Sequence, residues 1–409
     1  MQMTKVAILG FGVVGSGVAE VITQNGASIA EKTAQALELK YILDVRDFPA
    51  SPFADKLIKD FSIIEQDPEI DVVVETIGGA KVALDFTRRA LAAGKSVVSS
   101  NKELVAQHGH ELLELARENG VSYLFEASVG GGIPILHPLS QCLTANKLSE
   151  VRGILNGTTN YILTHMIGTG LSFEEALKEA QARGYAEHDP TADVEGLDAC
   201  RKICILASIA FGRHVYPHQV PTKGITQVTL ADVSYADAAG MKVKLLGRAL
   251  RQGDKVMAYV APHFVRDTNP LAGVEDVFNA ITVRGNAIGD VMFYGRGAGK
   301  LPTASAVVAD VIDASQHRKT SRYLSWSEGG EDYVLGTETL KSQWFLRLKG
   351  SMKDLESLGN VTVLGRPGAP ADEMGVITEA MTQVELEKRL GGQTPLSVLR
   401  VLDESADLA

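Results

Sequence analysis

Cysteine is scarce in this 409-residue chain: Cys142, Cys200 and Cys204 are the only three. Three thiols make no disulfide framework and fit a reducing cytosol. Cys200 and Cys204 sit at helical spacing, but no further Cys or His completes a zinc set with them. Positive charge is not in excess either: 40 Lys and Arg face 50 Asp and Glu, a formal net charge of −10. That balance argues against a nucleic-acid partner and gives no reason to expect a membrane surface. Apolar runs of bilayer length are missing, and Ile203–Phe211 is about as long as a core helix. No signal-peptide pattern opens the chain, so a cytoplasmic location is expected. Low-complexity tracts and tandem repeats are absent as well. What is present, 45% apolar residues at a mean hydropathy of +0.04, is enough for two or three domains with a large core.

Up to about residue 130, short apolar runs alternate with helical patterns. Lys5–Leu9, Glu38–Leu43, Asp71–Glu75 and Ser96–Ser100 read as strands; Val13–Thr23 and Val82–Ala93 read as helices. Such alternation predicts βαβ units and a parallel sheet. From about residue 145 the texture changes. Glu150–Leu155 reads as a strand, Ser172 to Glu175 as a capping box, and 255–295 as several strands between turns. A helix is predicted from Pro302 to about Ala314, and Ser315–Leu340 reads as a polar, irregular linker. The tail reads as a β-β-β-α-β module, with its helix near Gln383–Leu390.

Gly10, Gly12 and Gly15 follow the first strand and open the first helix. In that context they predict a dinucleotide site: a tight turn, backbone approach to a pyrophosphate at a helix N-terminus, and close helix–strand packing. Asp44-Val45-Arg46-Asp47 ends the second strand and offers both an acid for NAD and a base for NADP. Arg46 tilts the reading towards NADP. Glu75-Thr76-Ile77-Gly78-Gly79 and Ser99-Ser100-Asn101-Lys102 lie at the carboxyl ends of parallel strands, where ligands bind. Lys102 there could reach a nicotinamide ribose or the substrate.

Asp198 and Lys202 share a face of the helix that runs into Ile203–Phe211. A surface ion pair would carry little. An ion pair entering so apolar a helix is expected to be partly buried, and a lysine tuned beside a carboxylate suits proton transfer. Glu187 and Asp193 precede the pair and could receive an ammonium group. Glu126-Ala-Ser-Val-Gly-Gly-Gly-Ile-Pro134 reads as a domain hinge, or as a carboxylate with backbone carbonyls for a hard cation. The histidines form no recognisable cluster.

Taken together, the motifs resemble homoserine dehydrogenases over roughly residues 4 to 315. The resemblance rests on the segments just quoted, with Asn156-Gly-Thr-Thr-Asn-Tyr161, Gly184-Tyr-Ala-Glu-His-Asp-Pro190 and Asp193–Lys202. It implies NAD(P)-dependent interconversion of L-homoserine and L-aspartate 4-semialdehyde, in the route to threonine, methionine and isoleucine. It implies Lys202 as the acid/base, Lys102 sharing that role, and Asp198 as the orienting group. Substrate contacts would come from Glu187, Asp193, Gly157, Thr158 and Tyr185. Cofactor contacts would come from Gly10, Phe11, Gly12, Val13, Val14, Gly15, Arg46, Thr76, Ile77, Gly78, Ser100, Lys102, Gly297 and Gly299. Glu126, with the carbonyls of Val129, Gly131 and Ile133, matches the family's sodium site. With no kinase-like region before residue 1, the chain looks like the monofunctional form.

The expected architecture is α/β. A Rossmann domain spans 1–130, with the helix at 302–315 packing back on it. A central substrate and dimerisation domain spans 131–320, and an ACT-like α+β module 341–409. The tail departs from the ACT pattern at Leu348–Asp354, where the first helix is cut short, which puts threonine feedback in doubt. A homodimer or homotetramer is expected. Two other readings remain. An acylating semialdehyde dehydrogenase needs a cysteine on an exposed active-site loop, whereas Cys142 and Cys200 read as apolar or helical. A non-catalytic NAD(P) sensor has no need of Lys102, Asp198 and Lys202.

Overall fold

In a computed structural model, which describes residues 2–317 and 324–403, the chain divides into two compact units. The first takes in 1–146, 204–217 and 295–330; the second takes in 147–203, 218–294 and 331–409. No helix among the described residues is long and apolar enough to cross a membrane.

The first unit is built on six strands: β1 (Gln2–Leu9), β2 (Gln35–Leu43), β3 (Leu57–Ile58), β4 (Ile70–Glu75), β5 (Ser96–Ser99) and β6 (Tyr123–Leu124). They pair in parallel in the order β3-β2-β1-β4-β5-β6. This is the doubly wound order, and its ligand crevice lies at the strand ends where β1 meets β4. Continuous apolar runs such as Val6–Leu9 and Val72–Val74 are buried, as strands covered on both faces require. The helices are α1 (Val13–Thr33), α2 (Ser62–Gln66), α3 (Lys81–Ala92), α4 (Lys102–Glu118) and α5 (Leu136–Ser140).

Helix α1 runs ten residues past its predicted end at Thr23. Polar Gln24-Asn25-Gly26 hid the continuation, but Ile29 beyond them packs on the core. Its length explains why Asp44 lies so far from Gly15. The helix Lys300–Gln316 packs Ala304, Val307 and Val311 into the same core as Val6, Ile8 and Val18.

The second unit starts with β7 (Leu148–Ile154), α6 (Gly157–Thr169), α7 (Phe173–Ala182), α8 (Thr191–Val194), α9 (Leu197–Phe211) and α10 (Leu230–Ala238). Residues Leu197–Ile203 of α9 belong to this unit and Cys204–Phe211 to the first. Then come β8 (Met241–Gln252), β9 (Lys255–Arg266), β10 (Phe278–Gly285) and β11 (Gly289–Arg296); Lys300–Gln316 is α11. The tail adds β12 (Val334–Leu335), β13 (Gln343–Lys349), β14 (Val361–Leu364), β15 (Glu373–Thr378), α12 (Gln383–Leu390) and β16 (Ser397–Val401). A 3₁₀ segment, Met352–Leu358, stands where a first tail helix would be. One ten-stranded sheet runs β11-β10-β7-β8-β9-β16-β13-β15-β14, with β12 beside β9. The tail joins it through β16, parallel to β9 with Arg400 opposite His263. Ser172 and Glu175 form the predicted capping box.

Two further sequence expectations change. Within the predicted linker, residues 318–323 lie outside the described residues, but the remainder is anchored. Trp326 and Tyr333 are buried, and Val334–Leu335 pairs with β9. A polar average concealed two large aromatic anchors. Cys142 is exposed, because α5 stops at Ser140 and leaves it on the turn beyond.

Candidate active site

Gly10-Phe11-Gly12 makes the turn from β1 to α1. Gly10 has φ +89°, a conformation glycine adopts at little cost. A Cβ on Gly15 would lie 1.9 Å from the Gly10 carbonyl oxygen and 2.8 Å from Thr76 Oγ1, so no side chain fits there. Thr76 Oγ1 donates to the carbonyls of Leu9 and Gly10, both at 2.9 Å, bracing the turn from β4. No side chain caps α1, which leaves its first N–H groups for an anionic ligand. Val13 is exposed, while Phe11 and Val14 join the core.

Asp44, just past β2, accepts from the Phe11 amide at 2.7 Å. Arg46 donates to it from Nε at 3.0 Å and from Nη2 at 2.9 Å. The guanidinium, with the Arg46 and Phe11 amides, holds the Asp44 carboxyl well below the usual range. Arg46 also stacks over Phe48, and Nη2 lies 3.9 Å from where a Gly12 Cβ would stand. A cation thus sits over the turn, anchored by the acid beneath it.

A buried network ties the ends of β4 and β5. Glu75 accepts from Ser99 Oγ and from the Ile77 amide, each at 2.6 Å. Asn101 Nδ2 donates to the carbonyls of Ile77 and Gly79, and Asn101 Oδ1 caps α4 through the Leu104 amide. The Ser100 amide bonds the Glu75 carbonyl. Lys102 is the first residue of the helix so capped. Gly78 lies open, with nothing within 4 Å of an added Cβ. Burial pushes Glu75 up to about 7, against the bonds from Ser99 and Ile77.

Glu126 is buried and its carboxylate accepts three backbone amides: Ile135 and Leu136 on Oε1, His137 on Oε2, at 2.6, 2.9 and 2.7 Å. Among the described residues no protein donor reaches the carbonyls of Val129, Gly131 or Ile133. A Cβ on Gly131 would lie 2.4 Å from the Gly297 carbonyl oxygen, so these two glycine loops touch. Gly299 precedes α11 with φ +128°.

In the second unit, α9 carries Asp198 and Lys202, both buried, with Nζ 2.9 Å from Asp198 Oδ2. Nζ also donates to the Leu155 carbonyl at 2.7 Å. Asn156 Nδ2 bridges Asp193 Oδ1 at 2.7 Å and Asp198 Oδ2 at 2.9 Å. Its Oδ1 accepts from the Thr159 amide and so caps α6. Burial, then the neighbouring Asp198, push Asp193 up from the usual carboxylate range. Gly157 opens α6, where a Cβ would lie 2.7 Å from the Val277 carbonyl oxygen. Thr158 Oγ1 donates to the Tyr185 carbonyl at 2.7 Å. Glu187 stands apart. It is exposed on the loop after α7, and its carboxylate has no partner among the described residues.

Residues 10–126 match the family model described as homoserine dehydrogenase, NAD binding domain, and residues 134–312 match the one described as homoserine dehydrogenase. The chain belongs to the homoserine dehydrogenase family. The homoserine dehydrogenase of Pseudomonas aeruginosa is 39% identical over 399 residues, 96% of this chain and 90% of that one. That of Bacillus subtilis is 43% identical over 316 residues, 76% of this chain and 73% of that one. Among solved structures, the Thiobacillus denitrificans homoserine dehydrogenase superposes with a TM-score of 0.90 at 33% identity, covering 98% of this chain and 99% of that one. A hyperthermophilic archaeal homoserine dehydrogenase in complex with NADPH gives 0.63 at 28% identity, over 77% of this chain and 98% of that one. The chain is an NAD(P)-dependent oxidoreductase that interconverts L-homoserine and L-aspartate 4-semialdehyde.

As a homoserine dehydrogenase, the chain carries one residue that the sequence reading quoted without singling out. Asn156 joins the Asp193 and Asp198 carboxylates and caps α6. An Asn one residue ahead of a helix start is a capping signal. Its second task, towards acids 37 and 42 residues away, leaves no mark in local sequence.

Proposed function

We propose that Lys202 handles the hydroxyl proton of homoserine. The observation that carries this reading is the buried Asp198–Lys202 pair, whose ammonium is also held by the Leu155 carbonyl. In oxidation the Lys202 amine accepts the proton as the C4–H hydride leaves; in reduction it returns the proton to the carbonyl oxygen. The nicotinamide supplies the hydride chemistry when bound. Lys102, at the head of α4, serves the reacting end from the cofactor side and shares the proton task. Asp198 orients Lys202. Glu187 and Asp193 receive the substrate ammonium, aided by Gly157, Thr158 and Tyr185.

The cofactor is NADP, held by Gly10–Gly15, Thr76–Gly78, Ser100, Gly297 and Gly299. Arg46 supports this choice, as an exposed cation poised at the glycine turn to meet a 2′-phosphate. A sodium ion fits the Glu126 loop, where three undonated carbonyls and a carboxylate form a hard-oxygen set. The first 130 residues with α11 serve the cofactor, residues 131–320 the substrate and assembly, and residues 341–409 form an ACT-like module. A homodimer or homotetramer is supported by Met292 and Tyr294, exposed on edge strand β11.

Steady-state oxidation of L-homoserine, followed at the reduced nicotinamide with NAD and NADP in turn, tests the reading. NADP is expected to give the higher kcat/KM, and Arg46→Ala to erase that preference. A preference for NAD unchanged in the variant overturns the NADP assignment.

A further inference from the structure

The second unit holds a pocket of about 580 Å³ that none of the assigned site residues lines. Strands β9 and β16 form its floor, and α12 with the loop Gly392–Pro395 forms its walls. Leu386, Leu390 and Val398 give it an apolar body, and Trp344 and Tyr259 contribute rings. Arg400 lies at its base and is only 6% exposed.

Arg400 carries a charge that its surroundings do not neutralise. Nη1 donates to Ser342 Oγ at 2.8 Å and Nη2 to the Thr337 carbonyl at 3.4 Å. The guanidinium stacks over Trp344 at 4.2 Å and Tyr259 at 5.1 Å. Among the described residues no carboxylate pairs with it, and Nε has no protein acceptor. Nearby charge makes matters worse. Arg248 repels Arg400, and the buried acid beside Arg248, Glu150, is shared by Arg152, Arg248 and Arg284. His263, pushed down to about 3 by burial and these arginines, adds no positive charge and no countercharge. An arginine cannot shed its proton to escape burial, and an unpaired buried ion is costly. Arg400 lines the pocket together with Lys223. One acid, Glu387, lines that pocket, and it is exposed on α12.

We propose that this pocket binds a small organic carboxylate, its oxygens on Arg400 and Lys223 and its apolar body against Trp344, Leu386 and Val398. A guanidinium fork matches a carboxylate in plane and spacing. The apolar walls reject an inorganic anion in favour of one with a hydrocarbon body.

The test uses the full chain carrying Trp326→Phe, so that Trp344 is the sole tryptophan. Sodium hexanoate is titrated against tryptophan fluorescence, with hexanol and sodium chloride as controls. Saturable quenching by hexanoate alone is expected. Arg400→Gln should weaken binding at least tenfold, and Lys223→Gln a few-fold. Should Arg400→Gln fail to fold, Thr394→Trp plugs the pocket from an exposed position. In a chain otherwise wild type, it should abolish the hexanoate-induced rise in Tm and leave homoserine turnover unchanged. Equal responses to hexanoate, hexanol and chloride overturn the proposal. So does hexanoate binding that survives Thr394→Trp and is displaced by L-homoserine, which would place it in the substrate site.

Discussion

Lys202 and Arg400 are both buried cations of the second unit, and they meet the cost of burial differently. Lys202 has the Asp198 carboxylate at 2.9 Å and the Leu155 carbonyl at 2.7 Å. Arg400 has a hydroxyl, a carbonyl and two rings, and among the described residues no acid. The first cation is complete within the chain, so it can be held in one place, as the proposed proton exchange requires. The second has no countercharge among the described residues and lines the pocket proposed to admit one. Glu75 is the mirror case in the first unit. Among the described residues it is buried without a cation, with neutral donors around it, and it answers by holding its proton up to about 7. Arginine has no such exit.

The sharpest way to break the comparison is Lys202→Met. General acid–base catalysis is worth about 10² to 10⁴ in rate, so kcat should fall roughly a thousandfold while the KM for the cofactor stays put. The variant also strands Asp198 in the interior, where a broken buried pair costs about 3 kcal/mol or more. Steady-state kinetics and a melting curve read the two losses separately. Unchanged turnover would remove Lys202 from the chemistry and leave the pair a structural one.

Glu75 gives the next largest effect, and its sign is opposite to that of most carboxylates. Its folded pKa, about 7, lies above its ordinary 4.5, so the folded state binds the proton more tightly than the unfolded one. Stability therefore falls as pH rises between those values, by roughly 3 kcal/mol at most, and the loss is complete above the folded value. Glu75→Gln should flatten the profile of Tm against pH over that window and raise Tm above it. His214, pushed down to about 4 chiefly by burial, acts on the acid side, where stability is lost as pH falls through 6.5. If Glu75→Gln and the parent give superposable profiles, the carboxyl is ionised throughout and the network at β4 and β5 compensates it.

Asn156 tests whether the Lys202 side of the comparison depends on more than the pair. Asn156→Ala removes the helix cap, worth about 1 kcal/mol, and leaves Asp193 and Asp198 without their shared donor. Asn156→Ser restores the cap and not the bridge. Both variants should lower kcat/KM about tenfold, on the order of 1.4 kcal/mol, but only Asn156→Ala should lower Tm. Equal activity in Asn156→Ser and the parent would show that the bridge does not position Asp198.

Much of this was legible in the chain because it is written locally. The glycine turn, the parallel strands, the capping box at Ser172 and the i, i+4 spacing of Asp198 and Lys202 each show within a few residues. From β13 to β16 the order of the tail's elements was legible for the same reason, whereas β12, inside the predicted linker, was not. What sequence could not show is what distant segments do to one another. The extension of α1 past Thr23 depends on a core that Ile29 reaches. Trp326 and Tyr333 looked like part of a polar linker because burial is decided elsewhere in the fold. Arg400 gave no signal at all. Ser397–Val401 reads as a plain strand, and only the fold shows that among the described residues no acid pairs with Arg400.

Arg400→Met is the subtlest way to sharpen the contrast. A buried charge replaced by an apolar residue of similar length is often neutral for stability or favourable. Against that stand two hydrogen bonds to neutral groups and two stacked rings, the latter about 0.5 to 2 kcal/mol each. The two sides nearly cancel, so Arg400→Met should change stability by less than about 1 kcal/mol. That is well below the loss expected for Lys202→Met, although both remove one buried cation. Chemical denaturation of the two variants under one buffer makes the comparison direct. Equal destabilisation would mean that the rings and carbonyls around Arg400 already satisfy its charge, and that the pocket beside it has no call on an anion.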